Sequence, residues 1–348
     1  MNIENKLRIG PLTIEKEIKF GGAFLHVSIE DFIKAGFNFG DTVNLIFSNG
    51  VVLNDVPFYS GYYVDFDELL IVGYQGYPWI NITYNFGGDF LGRAKVTEDC
   101  TVIIEMNEKA KHLDIQELFQ QNHSNDRNDY ESDESFCNFR AVADNVPNTI
   151  KIYRSASPCD NDYNRPHYVS ELCKKYDIKY VLDLADKQDN LDSYYNQKDV
   201  DNEYWKYLYE QKRVIPMRLE VNYHSKECAN TLVELLRFML NNEGPFLMHC
   251  SEGKDRTGFA GIVIGALANQ SIEEIEKGYT KTYEEYYHIT KQSVPDSYKA
   301  IKNLYFDRMI NYICKDSSQE NIKECCEKYL LDNGMSIEEI KEFESRNH

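Results

Sequence analysis

The chain has 348 residues, a length that suits two domains of ordinary size. Its formal net charge is −19, from 38 basic and 57 acidic residues, which excludes a general electrostatic attraction to nucleic acid or to an anionic membrane surface. No apolar run reaches the roughly 18 residues that a membrane-spanning helix needs, and the N-terminus lacks the basic and then apolar pattern of a signal peptide. The nine cysteines form an odd set without regular spacing, so we expect reduced thiols and a cytoplasmic location.

Residues 1–110 are predicted to form a small, mostly β domain. Residues 41–47 alternate in polarity, Ser48-Asn49-Gly50 is typical of a turn, and Val51 begins a returning apolar run, which together indicate a hairpin. Further strands are predicted over residues 69–74, 80–84 and 101–106, and a short helix over residues 29–35. Several short strands separated by glycine turns favour a small barrel.

Two segments of this part, residues 40–43 and 76–89, resemble the C-terminal barrel of the S-adenosylmethionine hydroxide adenosyltransferases. The larger catalytic domain of that family has no counterpart here, so the resemblance implies at most a docking module for a small-molecule or protein ligand. Seven aromatic residues of this part either stack on such a ligand or fill the barrel core. They are Phe58, Tyr59, Tyr62, Tyr63, Tyr74, Tyr77 and Trp79.

Residues 111–135 are predicted to be an acidic, polar linker. Residues 122–135 contain almost no aliphatic side chains, which is typical of a linker or an exposed loop. The acidic run at residues 131–134 is interpreted as a solvated surface and not as a metal site.

Residues 136–313 are predicted to form an α/β domain. Residues 169–176, 201–211 and 226–241 are helix candidates, and residues 179–184 are typical of a buried strand. This order predicts a central, mostly parallel sheet flanked by helices. Residues 314–348 are predicted to be a helical extension, with two helices that break at Asn333-Gly334 and with Cys325 and Cys326 as a helical pair.

The most informative segment runs from His249 to Gly258 and reads His-Cys-Ser-Glu-Gly-Lys-Asp-Arg-Thr-Gly. An apolar run precedes it and a small-residue helical stretch follows it, so we expect a strand, a tight loop and a helix N-terminus. The N–H groups of such a loop and the positive end of the helix converge on one anion. The expected phosphate-binding residues are Ser251, Glu252, Gly253, Lys254, Asp255 and Arg256.

The spacing of Cys250 and Arg256 assigns chemical roles within this loop. The positive field favours the thiolate of Cys250, which is the nucleophile. Arg256 offers a planar fork of donors that matches two phosphoryl oxygens. Thr257 is expected to donate to the Cys250 sulfur, and His249 to orient the loop through its ring nitrogens. The implied reaction is hydrolysis of a phosphate monoester through a phosphocysteine intermediate, with no metal and no cofactor.

The segment from His249 to Gly258 resembles the signature loop of the cysteine-dependent phosphatases, and in particular their atypical bacterial branch. That branch acts on phosphotyrosine and, in some members, on phosphoinositides. Two further stretches agree with the resemblance, Asn-Phe-Arg at 138–140 and Tyr-Arg-Ser-Ala-Ser-Pro at 153–158. The resemblance covers about residues 136–313 and implies a phosphatase fold with its active loop at a strand end.

A general acid is required to protonate the leaving oxygen. Many cysteine phosphatases take it from a separate mobile loop, but the corresponding residues 215–223 contain no aspartate. The resemblance to the atypical branch instead implicates the aspartate of the signature loop, Asp255. Asp186 and Glu220 are the alternatives.

Three functions are compatible with these residues. The first is a phosphatase of phosphotyrosine in proteins, and the second is a phosphoinositide or inositol-phosphate phosphatase. The third is a catalytically silent module that binds phosphate. A sulfur-transfer or arsenate-reducing enzyme also uses a cysteine loop, but the string Lys254-Asp255-Arg256 argues against it.

Overall fold

The computed structural model describes residues 6–120, 122–143, 151–315 and 321–346. The chain divides into two compact units, Met1–Gln121 and Asn122–His348. Each unit is described by itself below.

The first unit is built around a closed barrel of seven strands in the order β1-β2-β6-β5-β4-β3-β7. The strands are β1 Arg8–Lys16, β2 Ala23–Leu25, β3 Thr42–Phe47, β4 Val52–Tyr59, β5 Leu69–Val72, β6 Ile80–Tyr84 and β7 Thr101–Glu108. The predicted small barrel is therefore confirmed, and the predicted hairpin is the antiparallel pair β3–β4. The resemblance to the adenosyltransferase barrel stays a prediction.

Three short helices complete this unit, α1 Ile29–Lys34, α2 Phe90–Ala94 and α3 Leu113–Phe119. The Ser28 side chain caps α1 by accepting from the N–H of Asp31, and Gly36 follows the helix with a φ of +100°. Phe32 of α1 is fully buried and packs against the ring of Phe58 at 4.9 Å between centroids. Of the seven aromatic residues, Phe58 and Tyr59 are buried, as the core-filling alternative expects, and Tyr74 is exposed; stacking on a ligand stays a prediction.

The second unit contains a five-stranded sheet in the order β11-β10-β12-β9-β8. The strands are β8 Arg140–Ala141, β9 Ile152–Ser155, β10 Tyr180–Asp183, β11 Val214–Pro216 and β12 Phe246–His249. All neighbouring pairs are parallel except the edge pair β8–β9. The predicted mostly parallel sheet is confirmed, and β12, which leads into the signature loop, is its central strand.

Helices cover both faces of this sheet. The helices are α4 Asp133–Phe136, α5 Pro166–Lys175, α6 Gln188–Tyr195, α7 Glu203–Glu210, α8 Lys226–Asn241, α9 Asp255–Leu267, α10 Ile272–Tyr287, α11 Pro295–Ile301, α12 Asp307–Cys314, α13 Ile322–Asp332 and α14 Ile337–Arg346. On one face, Leu247 of β12 packs in a buried cluster with Leu172 of α5 and Trp205 of α7. The side chain of Met248 points to the opposite face, where it approaches Gly261 of α9. The predicted break between α13 and α14 at Asn333-Gly334 is observed.

The structure places helical turns and buried contacts where the sequence predicts a linker. Residues 111–135 contain α3, a 3₁₀ turn at Arg127–Asp129 and the start of α4. The fully buried guanidinium of Arg165 donates to the carbonyls of Ser124 and Phe136, at 3.1 Å and 2.8 Å. The guanidinium of Arg165, a residue distant along the chain, therefore binds backbone carbonyls in and beside this polar segment. Composition alone does not reveal such a partner.

The prediction of reduced thiols is wrong for one pair. Cys314 at the end of α12 forms a disulfide with Cys325 of α13, where their Cα atoms lie 4.7 Å apart. The other seven cysteines, including Cys326, are free and buried. The packing of α12 against α13 brings the two cysteines together, so the local sequence does not show this pair.

Within the described residues, no helix is both long enough and apolar enough to cross a membrane.

Candidate active site

The signature loop lies at the carboxyl end of the central strand β12. Residues 246–249 are all fully buried, and α9 begins at Asp255 with Lys254 as its N-cap residue. The carboxyl end of a parallel strand beside a helix N-terminus is a common position for ligand sites in α/β proteins. The strand, loop and helix predicted from the sequence therefore occur at residues 246–267.

Gly253 gives the loop its shape. Its φ is +70°, and a Cβ atom built on it would lie 2.2 Å from the carbonyl oxygen of Ser155. Only glycine accepts both this conformation and this approach without displacing β9. The loop is therefore packed directly against the end of the neighbouring strand.

Donors outside the loop bind its carbonyl groups. Asn138 Nδ2 donates to the carbonyls of Glu252 and Gly253 at 3.0 Å and 3.2 Å. Arg154 Nη2 donates to the carbonyls of Gly253 and Lys254 at 2.6 Å and 3.3 Å. Because these carbonyls face Asn138 and Arg154, the N–H groups of the loop stay available for an anion. The sequence singled out the motifs that contain Asn138 and Arg154 but gave these two side chains no role.

Cys250 and Arg256 stand at the two ends of the loop. Cys250 is 4% exposed. Arg256 is half-buried, and it donates from Nη1 to the carbonyl of Ala185 and from Nη2 to the Ser251 hydroxyl, both at 3.3 Å. Within the described residues no carboxylate forms an ion pair with Arg256, so its guanidinium retains its charge for an anionic ligand.

His249 and Thr257 flank these two residues and are fully buried. The Nδ1 atom of His249 lies 3.4 Å from the carbonyl oxygen of Cys250, and its role in orienting the loop stays a prediction. Burial lowers the pKa of His249, which favours a neutral ring. Thr257 Oγ1 has no hydrogen-bond partner in the described part of the chain, so the predicted bond to the Cys250 sulfur is not formed.

His249 belongs to a buried cluster of three side chains whose atoms are of the kinds that bind metal ions. Nε2 of His249 lies 3.6 Å from Oδ2 of Asp183, and the possible ligand atoms of these two residues and of Cys159 all lie within 4.8 Å of one another. Sulfur, nitrogen and oxygen ligands of this kind suit zinc, which usually takes four. Among the described residues this cluster lacks the fourth ligand of a structural site, and its full burial does not suit the open position of a catalytic one, so we assign no metal to the reaction.

Lys254 is already paired within the loop. Its Nζ lies 3.0 Å from Oε2 of Glu252 and over the rings of Tyr283 and Tyr287, at 5.7 Å and 5.5 Å from their centroids. Burial opposes the charge of Lys254, but the carboxylates of Asp255 and Glu252 outweigh it and raise its pKa well above its usual value.

His123 also binds Glu252, although the sequence places it in the predicted linker. Its Nε2 lies 2.8 Å from Oε1 of Glu252, and its Nδ1 lies 3.2 Å from Nη2 of Arg165. Because Arg165 can only donate, Nδ1 accepts and the proton is assigned to Nε2. Burial raises the pKa of Glu252, but hydrogen bonding to His123 and the charge of Lys254 hold it at about 2. No local sequence signal identifies His123.

The three candidate acids have different surroundings. Burial, and then the charges of Asp183 and Asp160, raise the pKa of half-buried Asp186 to about 6, with Arg256 opposing them. Burial also raises the pKa of Asp255, whose Oδ1 atom is sealed from solvent without a partner in the described residues. Glu220 is 43% exposed and faces Arg218 at 3.9 Å. The structure therefore brings Asp186 and Asp255 near Arg256 and leaves Glu220 outside this group.

Comparison with known proteins identifies the family of the second unit. A model of the tyrosine phosphatase family matches residues 134–345. No curated protein matches the chain.

Three solved structures, of two proteins, represent the structural matches. The core catalytic domain of the PP-IP phosphatase SIW14 from S. cerevisiae, in complex with citrate, is 22% identical with a TM-score of 0.30, over 51% of this chain and 91% of that one. TpbA from P. aeruginosa is 17% identical with a TM-score of 0.28, over 53% of this chain and 95% of that one. A complex of TpbA with pTyr also matches, at 15% identity and a TM-score of 0.30.

Proposed function

Because the chain belongs to the tyrosine phosphatase family and is a cysteine-based phosphatase, we propose that it hydrolyses phosphotyrosine in proteins through a phosphocysteine on Cys250. The observation that carries the proposal is the loop geometry. Its carbonyls are bound by Asn138 and Arg154, which supports the availability of its N–H groups to one phosphoryl group, together with Arg256, for which no described carboxylate forms an ion pair. The nearly buried sulfur of Cys250 lies at one end of this loop and is the proposed nucleophile.

In the first step the Cys250 thiolate forms a bond to phosphorus while the bond to the tyrosine oxygen breaks. Arg256 and the loop N–H groups hold the phosphoryl oxygens, where charge is spread in the transition state. A carboxyl group gives its proton to the departing phenolic oxygen. In the second step water attacks phosphorus, the same carboxylate takes a proton from the water, and the bond between sulfur and phosphorus breaks, which releases phosphate and regenerates the thiolate.

We assign the proton transfer to Asp186, although the sequence favoured Asp255. A general acid has to be protonated near neutral pH and has to reach the leaving oxygen. Asp186 has a pKa of about 6, is half-buried and follows Ala185, whose carbonyl accepts from Arg256. One oxygen of Asp255 is sealed from solvent, so Asp255 is the second candidate.

The ion pair between Lys254 and Glu252 favours phosphotyrosine over the main alternative, a phosphoinositide or inositol phosphate. Substrates with several phosphates need cations beyond those that hold the reacting group. Lys254 is the only lysine of the loop, and Glu252 neutralises it at 3.0 Å. Tyr163 and Tyr287 are half-buried beside the same carboxylate, and their rings contact that of His123, which suits an aryl group.

The decisive experiment uses the full-length protein and its Cys250→Ser variant. We expect wild-type protein to hydrolyse phosphotyrosine peptides and the variant to lose turnover while it still binds vanadate. Equal turnover by both would contradict a cysteine nucleophile. Vanadate binding without turnover by the wild type would identify a silent phosphate-binding module. Faster turnover of soluble inositol phosphates than of phosphopeptides would select the alternative substrate class.

A further inference from the structure

The side chain of Arg154, which binds the carbonyls of the signature loop, also lines a cavity formed by other elements. The cavity has a volume of about 580 Å³ and lies between strands β8 and β9 and helices α9 and α10. Its lining includes Arg140, Arg154, Gly258, Gly261, Lys277 and Lys281. We call it the α9–α10 cavity. Its volume is within the range of small-molecule sites, roughly 300–1,000 Å³.

Glycines of α9 leave room for the guanidinium of Arg154 at this cavity. A Cβ atom at Gly261 would lie 3.3 Å from Nη1 of Arg154, and one at Gly258 would lie 2.6 Å from the ring of Tyr279. Larger residues at these two positions would press on Arg154 or on α10. The small residues of α9 therefore leave the cavity open and also allow the guanidinium of Arg154 to lie beside it.

The charge of the lining selects an anion. Four cationic side chains line the cavity and Glu274 is its one carboxylate among the described residues, although the whole chain carries −19. Lys281 forms ion pairs with Glu284 and Glu285, at 3.2 Å and 3.0 Å, whereas exposed Lys277 forms none with a described residue. The lining thus offers positive charge that the described protein groups only partly neutralise.

Arg154 is the cavity residue that most strongly indicates an anionic ligand. It is 4% exposed, it donates to two backbone carbonyls, and its Nε has no partner among the residues that the structure describes. In the described part of the chain no carboxylate forms an ion pair with it. Buried cations are usually paired, because removing a charge from water is costly. Burial also lowers the pKa of Arg154, to about 10.

The same guanidinium connects the cavity to the reaction. It donates to the carbonyls of Gly253 and Lys254, and its charge interacts with the sulfur of Cys250. We propose that the α9–α10 cavity binds a small polyanion that carries phosphate or carboxylate groups, and that its occupancy slows the phosphatase reaction. An anion beside Arg154 competes with the carbonyls of Gly253 and Lys254 for the same guanidinium, and so loosens the loop that has to hold the phosphoryl group.

Binding is tested apart from turnover in the Arg256→Ala variant, in which anion binding at the signature loop is removed. Calorimetric titration with inorganic pyrophosphate, and separately with citrate, is expected to show one bound equivalent for at least one of them. Adding Lys277→Gln and Lys281→Gln is expected to weaken this binding about tenfold or more, since two charges are lost. The matched control is Lys299→Gln, at an exposed lysine outside the cavity. Absence of binding for both probes, or binding that ignores Lys277 and Lys281, would overturn the proposal.

The effect on the reaction is tested in the protein with an intact signature loop. With p-nitrophenyl phosphate as substrate, the bound probe is expected to lower kcat as well as to raise KM, because it occupies both sites. In the Lys277→Gln, Lys281→Gln protein only the rise in KM should remain. A purely competitive effect in both proteins would refute the coupling. If the protein does not hydrolyse phosphotyrosine peptides, the calorimetric test of anion binding in the cavity still stands.

Discussion

Nε2 of His123 lies 2.8 Å from the Glu252 carboxylate, 129 positions away along the chain. This contact makes a residue of the predicted linker part of the signature loop's support. Since Glu252 also holds Lys254, the three side chains form one connected group beside the phosphate site.

Removal of this support is expected to lower activity without unfolding the protein. In His123→Leu, Glu252 loses a hydrogen-bond donor while it stays largely buried, which costs about 1–3 kcal/mol. We expect kcat/KM for an aryl phosphate to fall about fivefold or more, and His123→Gln to restore part of it through its amide donor. The control is His167→Leu, at a half-exposed histidine that pairs with Asp201. Equal activity of the leucine variant and wild type, measured by initial rates, would remove His123 from the site.

The pH dependence tests Asp186. Its raised pKa means that the acid form is present below about pH 6 and is lost as the pH rises through that value. For substrates with poor leaving groups, kcat is therefore expected to fall above about pH 6. Asp186→Asn should abolish this limb and slow such substrates by about 10²–10⁴-fold.

Activated aryl phosphates provide the control, because their leaving groups need little protonation. Asp186→Asn should slow them far less than substrates with poor leaving groups. If Asp255→Asn shows this selective loss and Asp186→Asn does not, the acid is Asp255.

Two substitutions of glycine by alanine test whether the loop depends on the backbone conformation of Gly253. Gly253→Ala places a Cβ 2.2 Å from the Ser155 carbonyl oxygen at a φ of +70°, so β9 or the loop has to move. We expect a loss of about 1–3 kcal/mol in the free energy of unfolding and a large loss of kcat. Gly334→Ala is the matched control, since its φ is +91° but nothing lies within 4 Å of the added atom. It should lose some stability in thermal unfolding and keep its activity.

Substitution of Glu252 tests the proposed preference for phosphotyrosine over inositol polyphosphates. Glu252→Gln removes the carboxylate that neutralises Lys254 at 3.0 Å and so frees this ammonium. We expect KM for inositol polyphosphates to fall several-fold, while kcat/KM for phosphotyrosine peptides stays the same or decreases. Unchanged KM values for both classes would show that the ion pair does not select the substrate.

Much of the barrel was predictable from local pattern, but strands β1 and β2 were not. The predicted segments at residues 69–74, 80–84 and 101–106 correspond to β5, β6 and β7. β1 was missed, since it contains Gly10-Pro11, and proline usually argues against a strand. Its pairing with β7 shifts register between Ile9 and Leu12, and this irregularity accommodates the proline.

The sequence by itself determined the strand, loop and helix around Cys250 and Arg256, because these features depend on neighbours only a few positions apart. The fold class also followed from the sequence, since the order and period of apolar residues are local properties. Only the tertiary structure showed that His123 and Arg154 hold the loop, that Glu252 neutralises Lys254, and that Asp186 approaches Arg256. Those relationships depend on chain crossings and side-chain directions that bring together residues as far apart as 129 positions, and burial then sets their charges.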